Sequence, residues 1–402
     1  MTGSRLRRRL PPLRLRDDFI NIADARQLAR RALPRTVFDF FDGGATDEVT
    51  LRDNRRSFDE LMFRPKMGCH IADPALATTV VGQPVAAPIL FAPCGMLGTA
   101  FPGAEPAIAR VANRVGTIAA HSTYASSTVE EIAAAAPAGR WFQLYFLGGR
   151  AGAESLIDRA RAAGYETLVV TVDTAVPGRR ERDERNGVTY PITVNAAQAL
   201  HFGPQVLARP GWLWRFAAAG FPVNPANARR GDGHAPIDAA TLFEAPPTWA
   251  DLAWIREAWD GPLVVKGVLG GSDARRAVDA GADAVVVSNH GGRQLDGVPG
   301  AVRVLPEVVR AVGADVEVLV DGGIERGADV AKALALGARA VLIGRAYIWG
   351  LAVGGEAGAE RVWKLLVDEL THTLRLLGVE SAQQLDAAVL TTATALAKES
   401  GL

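Results

Sequence analysis

Short runs of small and β-branched apolar residues recur along the chain, separated by segments whose apolar residues return every three or four positions. The runs lie at 88–92, 116–120, 141–145, 167–171, 263–266, 284–288, 316–320 and 340–343. Continuous apolar runs of this length read as strands buried on both faces, and the amphipathic stretches at 273–280, 301–312 and 327–336 read as helices between them. Eight strands alternating with helices predict an α/β fold closed into a (β/α)8 TIM barrel rather than an open sheet. Two short helical patterns at 23–32 and 36–41, split by Pro34 and ended by Gly43-Gly44, predict an N-terminal helical extension. A last helix is expected over 358–377.

Residues 175–247 break the rhythm with repeated prolines and short apolar patches such as Trp212-Leu213-Trp214. A long insertion after the fourth strand sits at the catalytic end of a barrel, so a lid or substrate gate is expected, with an oligomer contact or an idle loop as alternatives. The chain is thus divided into a basic arm at 1–20, a barrel domain at 21–378 that includes the insertion, and a C-terminal tail at 379–402.

A chain of 402 residues, 49% hydrophobic and 22% charged, can bury a large core and lacks the bias of a disordered or fibrous protein. Its 44 basic and 44 acidic residues give no global field, so no nucleic-acid partner is expected. Cys69 and Cys94 are too few for a disulfide framework, and no Cys/His spacing suggests a metal site. A reducing, cytoplasmic setting is expected. The arm carries Arg5, Arg7, Arg8, Arg9, Arg14 and Arg16, but no long apolar stretch follows it, so neither a secretory signal nor a membrane span is expected.

The sixth run opens into Ser288-Asn289-His290-Gly291-Gly292-Arg293-Gln294-Leu295-Asp296-Gly297. His290 can exchange a proton near neutral pH, and Arg293 offers a fixed fork of donors to a carboxylate. Base and fork together suggest an acidic substrate, although a lone His-Gly-Gly also suits an ordinary surface turn. Asp321-Gly322-Gly323 after the seventh run and Gly344-Arg345 after the eighth supply what a barrel phosphate site needs, namely backbone N–H groups free to approach an anion and a cation. No Gly-x-Gly-x-x-Gly turn points to a nicotinamide-binding domain.

The 288–297 stretch closely resembles the active-site signature of the FMN-dependent α-hydroxy-acid oxidases and dehydrogenases, and the resemblance runs from about residue 24 to about 378. It implies an FMN cofactor with Ser122, Gln143 and Thr171 as polar contacts to the ring, Ala92 and Pro93 lining it, and Ser288 among its neighbours. Lys266 is implied as the cation that stabilises reduced flavin, with Asp321, Gly322, Gly323, Gly344 and Arg345 holding the phosphate. It further implies that Asp173 pairs with the catalytic His290, that Tyr145 hydrogen-bonds substrate, and that Arg180 joins Arg293 on its carboxylate. Arg179, Arg182 and Arg185 read as solvated helix charges.

The chain departs from the family pattern at several positions. Phe40 stands where a second substrate-binding tyrosine is usual, Tyr124 where a tryptophan is frequent, and Glu325 where an arginine commonly helps hold the phosphate. Gly95, beside the flavin, hints against a simple oxidase. The resemblance implies oxidation of a 2-hydroxy acid to a 2-oxo acid, with oxygen or another electron acceptor, in a homo-oligomer, a tetramer by family resemblance. Two alternatives stay open: oxidation of a peptide-derived or other biosynthetic intermediate, as the mycofactocin-maturation enzymes do, and a non-catalytic flavin-binding role.

Overall fold

A computed structural model describes residues 19–188, 196–222, 225–228 and 246–399. The expected arm up to residue 18, and the parts of the insertion at 189–195, 223–224 and 229–245, lie outside the described residues. Phe19, assigned to the arm, is instead buried, with the Arg361 guanidinium over its ring and Arg361 Nε donating to its carbonyl at 3.0 Å.

The barrel strands are β1 Ile89–Phe91, β2 Ala119–Ser122, β3 Arg140–Leu144, β4 Thr167–Thr171, β5 Leu263–Val268, β6 Ala284–Val287, β7 Glu317–Asp321 and β8 Ala340–Ile343. Each pairs in parallel with its successor, and β8 pairs with β1, closing the barrel. Nearly every strand residue is buried, because alternate side chains enter either the barrel interior or the layer beneath the helices. Trp141, Leu90, Val169, Val264, Leu319 and Leu342 fill the interior. A much larger apolar layer joins the outer strand faces to the surrounding helices.

Three helices precede the barrel: α1 Ile22–Ala32, α2 Arg35–Asp42 and α3 Val49–Asp59. Asn21 caps α1 by accepting the Asp24 N–H at 2.8 Å, and Pro34 separates α1 from α2. Phe38 and Phe41 of α2 enter the core, Phe38 stacking on Trp349 at 5.2 Å, which fixes the helix across the mouth of the barrel.

Some boundaries differ from expectation. The second strand lies at Ala119–Ser122 rather than 116–120, because Gly116 takes a left-handed φ of 69° and ends the preceding helix. The last helix does not begin at 358: a helical segment starts at Arg345, directly after β8, and continues to Leu377 across a break at Gly355. A Cβ on Gly355 would meet the Phe101 ring at 2.8 Å. The expected tail is structured as far as the described residues go: Leu390–Thr392 pairs antiparallel with Leu61–Phe63, and Ala393–Glu399 is helical. Within the insertion, Glu181–Arg185, Ala196–Leu207 and Pro210–Ala218 are helical, and Trp212 and Phe216 are buried. Among the described residues, no helix is long and apolar enough to cross a membrane.

Candidate active site

Strand periodicity builds the first ring of the site. Leu90, Ala120, Trp141, Val169, Val264, Val286, Leu319 and Leu342 face the interior, so the residues two further on face inward at the C-terminal mouth. Those residues are Ala92, Ser122, Gln143, Thr171, Lys266, Ser288, Asp321 and Gly344, and all but the glycine are buried. The alternation that packs the barrel therefore delivers one polar or small group from every strand to the same place.

Lys266 is only 4% exposed, so the strand-end lysine is not a solvated one. Its Nζ lies 2.7 Å from Asp321 Oδ2 and donates to Ser288 Oγ at 2.8 Å. Burial alone would lower its pKa, but the Asp321 and Asp173 carboxylates outweigh burial and raise it, holding the ammonium charged. Ser122 Oγ donates to Gln143 Oε1 at 2.9 Å and accepts the Tyr124 N–H at 3.1 Å. Gln143 Nε2, Thr171 Oγ1 and Asp321 Oδ1 are buried without a protein partner.

His290 follows β6 in a left-handed turn with φ 57°, its N–H donating to Ser288 Oγ at 3.1 Å. Its Nδ1 lies 3.1 Å from Asp173 Oδ1, and its Nε2 lies 3.5 Å from the Tyr145 hydroxyl. Gly267 makes room for this pairing, since a Cβ there would come within 2.7 Å of the Asp173 side chain. Burial pushes the Asp173 carboxyl up, yet His290 and Lys266 more than offset it and leave it below its ordinary value. Burial, reinforced by Asp173, raises the Tyr145 phenol, which stays protonated.

Arg180, Arg293 and Phe40 form a further part of the wall. The Arg180 and Arg293 guanidiniums stand 5.8 and 5.2 Å from the centre of the Phe40 ring. Arg293 Nη1 donates to the carbonyls of Phe40 at 2.7 Å and Gly43 at 2.9 Å, and Arg180 Nε lies 3.3 Å from Asp183 Oδ2. The Tyr124 and Tyr145 rings meet edge to face at 5.9 Å. A Cβ on Gly95 would lie 2.8 Å from the Tyr124 Cβ, so alanine at 95 would push Tyr124.

These groups share a cavity of about 800 Å³, lined among others by Ala92, Pro93, Ser122, Lys266, Asp321 and Gly344 as well as Tyr124, Tyr145, His290 and the three residues of the wall. That volume suits a cofactor with a small substrate. Gln143, Thr171, Ser288 and Asp173 are not on its wall; Asp173 acts on it through His290. A second cavity of about 690 Å³ lies around Glu317 and Arg339, at the strand starts, the end of a barrel that carries stability rather than chemistry.

The far end of the main cavity is open backbone. Gly322 and Gly323 have φ of 93° and 81°, and a Cβ on Gly323 would fall 2.2 Å from the Asn54 carbonyl, so only glycine fits there. Arg345 reaches this region but donates Nε to the Phe41 carbonyl, Nη1 to Gly291 and Nη2 to Gly43, at 2.8, 2.9 and 3.0 Å. The sequence reading missed a chain of charges beside it. Arg26 forks onto Asp42 at 2.5 and 2.8 Å, and Arg182 bridges Asp42 at 2.8 Å and Glu48 at 2.6 Å. Arg182, read as a solvated charge, is 30% exposed and lines the cavity, whereas Arg179 and Arg185 are 67% and 73% exposed. Its partners are 140 and 134 residues away, so no local pattern could have revealed it.

The glycine turns, the buried Lys266 cation and the unpartnered Asp321 Oδ1, all on the cavity wall, fit a flavin mononucleotide, which brings an anion and a ring with hydrogen-bonding edges. The family described as FMN-dependent dehydrogenase matches residues 29–392. The chain belongs to that family. It is an FMN-dependent oxidoreductase of the α-hydroxy-acid oxidase and dehydrogenase type. Similar proteins include the pre-mycofactocin synthase of Mycobacterium tuberculosis, 42% identical over 390 residues, which cover 96% of this chain and 97% of that protein. The L-lactate oxidase of Nostoc sp. is 42% identical over 376 residues, covering 92% of this chain and 98% of that one. Among solved structures, the monotopic membrane protein (S)-mandelate dehydrogenase superposes with a TM-score of 0.88 at 36% identity, covering 93% of this chain and 100% of that one.

Proposed function

We propose that this FMN-dependent dehydrogenase oxidises a 2-hydroxy acid to the 2-oxo acid, with its carboxylate between Arg180 and Arg293 and its carbinol carbon facing His290. The single observation that carries this reading is the arrangement of the cavity: one cavity is lined by a base, backed by a carboxylate behind it, and by two guanidiniums. FMN supplies the acceptor for the two electrons that leave the substrate. His290 Nε2 takes one of the two protons released, and Asp173 stabilises the imidazolium that results. The Tyr145 hydroxyl, protonated and beside Nε2, orients the substrate oxygen. Lys266 keeps a fixed positive charge at the strand ends, where negative charge accumulates during the reaction. A cytoplasmic homo-oligomer that passes its electrons to oxygen or another carrier belongs to the same proposal, on the family resemblance.

Anaerobic mixing of the FMN-loaded enzyme with glycolate, lactate and mandelate tests the reading through bleaching of the flavin absorbance. At least one should bleach it within the lifetime of the experiment, and inertness toward all small 2-hydroxy acids would overturn it. A second reading rests on Phe40, whose apolar ring lies on the wall beside both arginines, and on the similarity to pre-mycofactocin synthase. It assigns a bulkier, less polar biosynthetic intermediate, which would bleach the flavin where the small acids do not.

A further inference from the structure

One titratable group at the glycine end of the cavity has no role in the chemistry above. Gly322 and Gly323 after β7 and Gly344 after β8 open that end, and Ile324, Glu325 and Arg345 continue its lining. Glycine turns at successive strand ends hold phosphate monoesters through their backbone N–H groups, and FMN ends in such a monoester. With a second pKa of about 6, that group carries close to two negative charges at neutral pH. A phosphate held by these turns would lie on the same stretch of wall as Glu325.

The cations around Glu325 make their hydrogen bonds elsewhere. Arg345 serves the carbonyls of Phe41, Gly43 and Gly291. Arg55 of α3 forks onto Asp329 and also donates to the Gly323 carbonyl at 2.9 Å, while Arg26 of α1 is held by Asp42 of α2. A carboxylate and a phosphate dianion in one half-buried corner repel, whereas a carboxylic acid beside a phosphate is a donor meeting an acceptor.

We propose that Glu325 holds the FMN phosphate as a neutral acid, its carboxyl O–H donating to a phosphate oxygen, so that cofactor binding takes up a proton from water and weakens as pH rises. The surroundings favour the acid form. Burial pushes the Glu325 carboxyl up, Arg55 opposes this, Asp329 adds to it, and Arg26 and Arg345 offset it only in part. The sign follows: a site that binds FMN best with Glu325 protonated loses affinity as pH climbs through the acid's pKa and beyond.

The test is dilution of FMN-loaded holoenzyme at a series of pH values, reading released flavin by its fluorescence to obtain Kd for the wild type and for Glu325→Gln. The amide keeps the shape and a donor but does not titrate, and the phosphate's own titration is common to both proteins. The Kd ratio of wild type to variant should be near one at the acid end and rise by up to about tenfold per pH unit above the midpoint. A ratio independent of pH overturns the proposal. So does weaker binding by the variant throughout, which would mean that the carboxylate form organises the site through Arg26 or Arg55. Should the variant fail to fold, calorimetry of FMN binding to the wild type in buffers of different ionisation enthalpy decides, at a pH where free FMN is already a dianion. Net proton uptake supports the assignment; no exchange, or release, overturns it.

Discussion

Asp173 and His290 meet across the mouth of the barrel, the carboxylate 3.1 Å from the imidazole Nδ1, although 117 residues separate them. With Nδ1 turned to the carboxylate, Nε2 is the nitrogen left facing the cavity and the Tyr145 hydroxyl. The pairing fixes both the ring's orientation and which nitrogen can act as base.

Replacing His290 by alanine should leave FMN bound and slow anaerobic flavin reduction by roughly 10²–10⁴-fold, the contribution of a positioned general base. Stopped-flow absorbance on the holoenzyme measures it. Reduction at the wild-type rate in a folded, flavin-loaded variant would remove His290 from the chemistry.

Asp173→Asn separates orientation from charge. The amide can still hold the ring but no longer stabilises imidazolium, so flavin reduction by the substrate should slow while the flavin stays bound. Stability gives an independent reading, because the folded Asp173 carboxyl is held below its ordinary value. Its contribution is complete above the unfolded carboxyl's pKa of about 3.9 and is lost as pH falls through the folded one. Melting temperatures of the variant should therefore fall less steeply than those of the wild type on acidification below that point.

Lys266 and Asp321 form the buried ion pair at the strand ends, 2.7 Å apart. Lys266→Met leaves Asp321 charged and unpaired and should destabilise the protein by about 3–5 kcal/mol, the usual result of removing one partner from a buried pair. Adding Asp321→Asn should recover much of that loss. Chemical denaturation of the two single variants and the double variant measures the coupling, and strictly additive losses would show that the pair does not interact.

The barrel was legible because β-strand alternation repeats the same message: each apolar run ends in a small or polar residue two positions beyond its last interior side chain, as Val264 and Lys266 or Leu319 and Asp321 do. The second strand slipped because Gly116-Thr117 resembles a strand start, whereas the positive φ of Gly116 belongs to a helix end. His290, Arg180 and Arg293, which the structure brings to one cavity, were readable from local motifs and family resemblance. The Arg26, Asp42, Arg182 and Glu48 chain was not, since long-range ion pairs leave no periodic or local trace.

Phe40 lines the cavity beside Arg180 and Arg293. Its ring centre lies 5.8 and 5.2 Å from two guanidiniums and its own carbonyl anchors Arg293, so a change at the ring edge leaves the helix and that anchor in place. If small 2-hydroxy acids are the substrates, Phe40→Tyr adds a hydroxyl to the wall that holds their carboxylate and should tighten binding by about 0.5–1.5 kcal/mol, the net value of one hydrogen bond. If the substrate is bulkier and packs on the apolar ring, the same change should weaken that substrate and leave glycolate, lactate and mandelate poor. Flavin-reduction constants across a hydroxy-acid panel for both proteins separate the two outcomes. An unchanged panel would mean that substrate never reaches the Phe40 ring, and that the arginines grip it from the side turned away from α2.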